Sequence, residues 1–231
     1  FLGISCLIVD ERSTLSAKAF WQHTGLGLSS REAAIALGKE KKKSISDGHC
    51  ARDELLNRLA DIYECDSSLI QLHRSGMAAL TTILSAIKFI KGNNSILQIG
   101  FPYVDVLKLP KVIFQGSDLI IKTQLSHIKE ELVKKKPAAI IIEIPSNPLL
   151  QCVDLISISK LAQDKNIPII VDDTIGSSIN VHLTPYADVI FSSLTKSFAG
   201  RGDILAGSTV ISPYSKWKIE LTEIMPKAAL S

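Results

Sequence analysis

Six short runs of apolar and β-branched residues recur after residue 94, at 95–99, 118–122, 138–144, 167–171, 187–192 and 206–211. The third, Ala-Ala-Ile-Ile-Ile-Glu-Ile, has no polar alternation before Glu143, so a strand made from it must be covered on both faces. Segments 126–136 and 155–165, lying between such runs, carry helical spacing. Strand–helix–strand alternation with continuously apolar strands predicts an α/β fold, a mostly parallel sheet sandwiched by helices. A sheet of this kind presents its chemistry in loops that leave the carboxyl ends of its strands.

The remainder of the chain divides at about residue 48. Residues 1–48 have weak periodicity and a charged, Ser-rich end, and read as an arm or irregular cap. From Ala51 the texture changes: Leu55, Leu59 and Ile62 form the stripe of an amphipathic helix ending near Cys65. A second helix is expected over 77–91, stopped by Gly92-Asn93-Asn94. Residues 49–231 then form one site-bearing domain. Hydrophobic residues make up 46%, and a net charge of +3 argues against a dedicated nucleic-acid binder. The basic cluster at 39–43 reads as a solvated loop. No apolar run approaches the length of a membrane-spanning helix. Cys6, Cys50, Cys65 and Cys152 lie far apart with no CxxC pair, as expected of reduced thiols in a cytoplasmic protein, and no metal site is expected. The chain starts at Phe1 with no secretory pattern and reads as a piece of something longer.

Four motifs sit where the fold puts chemistry. Ser193-Leu194-Thr195-Lys196 follows an apolar strand, and its lysine between hydroxyls suits a Schiff-base amine kept reactive by desolvation beside a phosphate. The alternative is a strand-end lysine that reaches solvent. Asp172 and Asp173 end another strand; side chains alternate, so only one of them can face a site. Arg74-Ser75-Gly76-Met77 opens a helix whose free N–H groups and dipole attract an anion, unless Ser75 is an ordinary cap. Glu143-Ile144-Pro145-Ser146-Asn147-Pro148 is a proline-fixed turn presenting Asn147, or simply a structural turn. Each is weak alone. Together, in this order, they are the parts of a pyridoxal-phosphate site.

The same stretches, RSGMAAL, EIPSNPL, VDDT and SLTKSFAGRGDILAG, resemble the cystathionine γ-synthase-like enzymes of Cys/Met metabolism, of fold type I. Residues 17–25 with Ser29-Ser30-Arg31 also look like the N-terminal part of fungal members. The resemblance implies that Lys196 carries pyridoxal 5'-phosphate covalently and that Asp172 meets its pyridinium nitrogen. It implies that Ser75, Gly76, Met77, Thr174, Ser193 and Thr195 line the phosphate and ring, with Gly76 and Met77 acting through backbone N–H groups. Tyr103 falls where the family stacks a catalytic tyrosine on the ring, although Val104-Asp105 replaces two glycines. Asn147 would lie near the phenolic oxygen or the substrate carboxylate. Further implications are an amino-acid substrate and a homo-oligomer, a dimer or a tetramer built of dimers.

The likeness has departures. The family's Tyr-x-Arg, which a neighbouring subunit lends to the phosphate, would fall at Ser44 and Ser46, and Gly-His-Ser-Asp after the lysine is here Gly200-Arg201-Gly202-Asp203. The family's smaller C-terminal domain, which holds the arginine for the substrate carboxylate, has no counterpart in these residues. A phosphate ester carries close to two negative charges, and a helix terminus supplies only about half of one in compensation. Arg74 or the lysines at 41–43 are candidates for the remainder, unless Arg74 only meets a surface carboxylate. The leading expectation is γ-replacement, an activated homoserine plus cysteine giving cystathionine. Elimination from sulfur amino acids, and a cofactor-binding paralogue without turnover, compete with it.

Overall fold

A computed structural model describes residues 8–24, 28, 30–41, 45–200 and 204–229. In chain order the main elements are α1 (Thr14–Thr24), α2 (Ser30–Ala36), α3 (Ile45–Tyr63), β1 (Ile70–His73), α4 (Gly76–Lys91), β2 (Ile96–Ile99), α5 (Val104–Ile113) and β3 (Ser117–Ile120). They continue with α6 (Leu125–Lys135), β4 (Ala139–Glu143), α7 (Leu155–Asp164), β5 (Ile169–Asp172), α8 (Ser177–Asn180), β6 (Val189–Ser192), β7 (Gly207–Ile211) and α9 (Lys218–Ala228). The strands form one seven-stranded sheet in the order β1-β7-β6-β5-β4-β2-β3. Neighbours from β3 across to β6 are parallel, while β7 is antiparallel to β6 and β1 to β7. The expected helix-covered parallel sheet is the observed one, with an antiparallel edge.

Side-chain alternation along the strands makes two cores. Leu97, Ile99, Ile140, Ile142, Ile169, Val171 and Ile190 pack with Leu59 and Tyr63 of α3 and with α6 and α7. Ile96, Ile141, Ile170, Val189 and Phe191 face α4, α5 and α9. All five residues of β4 are buried, and each large aliphatic side chain removed from water contributes about 1.5–3 kcal/mol. The edge strands β1 and β3 are only half covered.

Several expectations need correction. Among its described residues the N-terminal stretch forms the helices α1 and α2 rather than irregular structure. Within α1 only His23 and Thr24 are buried, so no apolar stripe marks it in the sequence. It packs against α4 and α5, where Thr81 Oγ1 donates to the Thr24 carbonyl at 3.0 Å. Because α3 starts at Ile45, an element boundary at residue 48 would cut a helix. Strand β1, Ile-Gln-Leu-His, is half-exposed and carries no continuous apolar run that would mark it, and Pro110 and Pro226, which mimic helix breakers, mask α5 and α9. Cys6, Gly25, Ser29, Lys42, Lys43, Ser44, Arg201, Gly202 and Asp203 lie outside the described residues, as does the side chain of Ser46.

Candidate active site

Strand order sets the site. From β2 the chain moves outward to β3 and then crosses back to β4 on the other side, so a crevice opens between the carboxyl ends of β2 and β4. Tyr103 follows β2, Asn147 follows β4, Asp172 ends β5, and the Lys196 turn follows β6. These expected residues therefore gather at one sheet edge. The α4 N-terminus joins them because Gly76 lies against the lysine turn.

The two acids diverge as alternation requires. Asp172 shares the parity of Ile170 and faces the α4 side, whereas Asp173 shares that of Val171 and faces α3. Asp172 is only 5% exposed, and burial pushes its carboxyl up to about 7. One of its oxygens accepts the Thr174 N–H at 3.0 Å. Among the described residues no basic side chain is paired with it. Asp173 accepts the Tyr63 hydroxyl at 2.7 Å and the Ser178 hydroxyl at 3.1 Å, which ties β5 to α3.

The phosphate side is built around α4. Ser75 is its N-cap and accepts the Ala78 N–H at 3.0 Å. Gly76 and Met77 are in the first turn, where N–H groups have no intrahelical acceptor. A Cβ on Gly76 would stand 2.8 Å from Ser193 Cβ, and one on Gly207 would stand 2.3 Å from the Ser75 carbonyl. Both glycines permit backbone contact that any side chain would break. Gly207 was legible only as part of a longer motif; its role comes from β7 passing under the helix start. Thr174 Oγ1 accepts the Ser193 N–H at 2.9 Å and so joins the Asp172 loop to the lysine turn.

Three expected residues have partners or surroundings set by the fold. Thr195 gives its hydroxyl proton to the Ala206 carbonyl at 3.2 Å and accepts the Ala206 N–H at 3.1 Å, so it braces the lysine turn. Arg74 pairs with Glu32 at 3.2 Å, the surface carboxylate foreseen as its alternative, and such exposed pairs contribute at most about 1 kcal/mol. Lys196 is exposed, not desolvated, because β6 ends at Ser192 and the turn, anchored by buried Leu194, carries the lysine clear of the sheet.

Two further groups at this edge had no assigned part. Buried Glu143 accepts the Tyr103 N–H at 2.6 Å and the Asn147 N–H at 3.1 Å. His23 Nδ1 meets Asp105 Oδ1 at 2.9 Å, and burial together with Asp105 raises the Tyr103 phenol. Tyr103 and Asn147 themselves are exposed at the crevice.

The arrangement fits a protonated pyridine bearing a phosphate ester. A buried carboxylate that burial holds near neutrality suits a ring cation. A glycine-lined helix start with open N–H groups suits a dianion, and an accessible lysine stands on the adjoining turn. Gly76→Ala tests the phosphate side: the added methyl should force α4 and the lysine turn apart. Cofactor affinity should then fall by about 5- to 150-fold, read by titration of pyridoxal phosphate, for an overpacking strain of about 1–3 kcal/mol.

Comparison with known proteins agrees with this geometry. The family model for Cys/Met metabolism PLP-dependent enzymes matches residues 39–228. An alanine racemase of Aspergillus violaceofuscus is 30% identical over 96% of this chain and 44% of its own length. Cystathionine γ-synthase of Neurospora crassa is 36% identical over 51% of this chain and 20% of its own. The crystal structure of cystathionine γ-synthase from Xanthomonas oryzae pv. oryzae in complex with cystathionine superposes with a TM-score of 0.67, covering 84% of this chain and 50% of that one at 22% identity. The chain thus spans less than half the length of these curated relatives. It belongs to the pyridoxal-phosphate-dependent enzymes of Cys/Met metabolism.

Proposed function

We propose that this chain forms the cofactor-binding part of an enzyme of γ-replacement, which joins an activated homoserine to cysteine to give cystathionine. The observation that carries the reading is the convergence of Asp172, the α4 N-terminus and the Lys196 turn on one sheet edge. The 36% identity to the Neurospora crassa synthase supports the choice of reaction. When bound, pyridoxal phosphate supplies an electron sink for negative charge developing at the substrate Cα. Asp172 keeps a ring nitrogen protonated by opposing it with a buried charge. The amides of Gly76 and Met77, with Ser193 beside them, hold the phosphate end. Lys196 would hold the cofactor covalently and would serve as the base for the Cα proton. Tyr103 and Asn147 bound the crevice between β2 and β4 and orient the ring within it.

The Aspergillus violaceofuscus racemase supports a second reading, because proton removal and return at Cα need the same Asp172 and Lys196. An assay of the full-length protein separates the two. O-acyl-homoserine and cysteine should yield cystathionine; racemisation of alanine without cystathionine would replace the first reading by the second. A homodimer is part of the proposal, supported by Phe101, Tyr103, Val104, Leu149 and Leu150, exposed apolar side chains around the crevice that a second copy would cover. No helix among the described residues is long and apolar enough to cross a membrane. We place the protein in the cytoplasm, a reading supported by the unpaired thiols of Cys50, Cys65 and Cys152.

A further inference from the structure

The β2–β4 ladder reaches Ile99 and Ile142 in its register. Beyond that point the two strands turn into separate loops, one leading to Tyr103 and the other to Asn147. Backbone pairing no longer holds these loops at a fixed distance. One side chain does: Glu143, the last residue of β4, is 6% exposed and gives one oxygen to each loop. Its Oε2 accepts from the Tyr103 N–H at 2.6 Å and its Oε1 from the Asn147 N–H at 3.1 Å. Carboxylate-to-amide bonds of this kind are among the stronger hydrogen bonds a protein makes. Tyr103 is also the N-cap of α5 and makes no side-chain cap bond of its own. The Glu143 carboxylate therefore stands at the positive end of α5 as well, where a negative charge is favourable.

We infer that Glu143 is a positioning residue whose carboxylate spans the crevice between β2 and β4 and sets the separation of Tyr103 from Asn147, the slot in which the cofactor ring is oriented. The inference rests on the proposed cofactor site. Glu143 need not touch cofactor or substrate; it acts through the two loops. An acid that merely satisfied turn amides would matter for stability alone. One that acted through charge would affect Asp172, its register partner on β5, whose carboxyl it helps to raise. Removing that charge would favour ionised Asp172 and strengthen its hold on a ring cation.

Two substitutions in the full-length protein separate these roles. Glu143→Gln removes the charge and turns an NH2 toward one of the two amides, releasing one loop. Glu143→Asp keeps the charge but is one methylene too short to reach both amides. If Glu143 positions the slot, both variants fold by far-UV circular dichroism yet lose most of the visible dichroism of bound pyridoxal phosphate at saturation. Turnover should drop by about 10²-fold, the cost of an ångström-scale misplacement, with kcat changing more than KM. Full cofactor dichroism in both folded variants would overturn the inference, as would any effect confined to Glu143→Gln; tighter cofactor binding in that variant alone would mark a charge effect through Asp172. Failure of both to fold would assign Glu143 to stability and also overturn it. A parent protein with no cofactor signal would instead remove the proposed site itself.

Discussion

Lys196→Ala is expected to abolish covalent attachment of pyridoxal phosphate while leaving the sheet intact. Lys196 makes no core contact: it is exposed, and its turn is held by Leu194 and by the Thr195–Ala206 hydrogen bonds, none of which needs the amine. The melting temperature of the cofactor-free variant should therefore stay close to that of the parent. Cofactor would still enter, drawn by the α4 N-terminus and Asp172, but would wash out on dialysis. Turnover should fall by at least about 10²–10⁴-fold, the range supplied by a positioned proton-transfer group, and further for loss of the covalent link. Borohydride reduction followed by peptide mapping checks the assignment. A pyridoxyl group found on a different lysine would refute it.

Asp172→Asn should have opposite effects on stability with and without cofactor. The folded protein holds the Asp172 proton up to about pH 7, whereas an unfolded chain releases it near the ordinary value of 3.8. This group thus stabilises the cofactor-free fold fully below about pH 4 and loses that contribution as pH rises toward 7, by up to about 1.4 kcal/mol per pH unit. Asparagine carries no charge to desolvate. The cofactor-free variant should accordingly melt higher than the parent at pH 8 and close to it at pH 4. With pyridoxal phosphate bound the order reverses at pH 8, because the parent gains an ion pair that asparagine cannot form. Turnover should fall by about 10²–10³-fold, as for loss of one preorganised charge-stabilising group. Asp173→Asn is the control, since it weakens the link to Tyr63 and Ser178 and should cost stability more than turnover. If it instead proves the more damaging change to catalysis, the facing of the two acids has been misread.

The sheet could be read from the chain because each of its inner strands is a local signal. Residues 138–144 can only be a strand covered on both sides, and period-two alternation alone separates Asp172 from Asp173. The motif residues of the site were legible for the same reason: each stands at a strand end or helix start that its neighbours announce. Three-dimensional pairing was not legible. Glu143 reaches Tyr103 across 40 positions and Tyr63 reaches Asp173 across 110, and no local pattern encodes such partners. Thr195 meets Ala206 and Arg74 meets Glu32, partners brought near by the approach to β7 and by α2. The exposure of Lys196 likewise follows from where β6 stops. Local periodicity determined the inner strands and the order of the chemistry along them; strand order and crossover determined which groups meet, because hydrogen bonds and burial depend on distance in space rather than on separation along the chain.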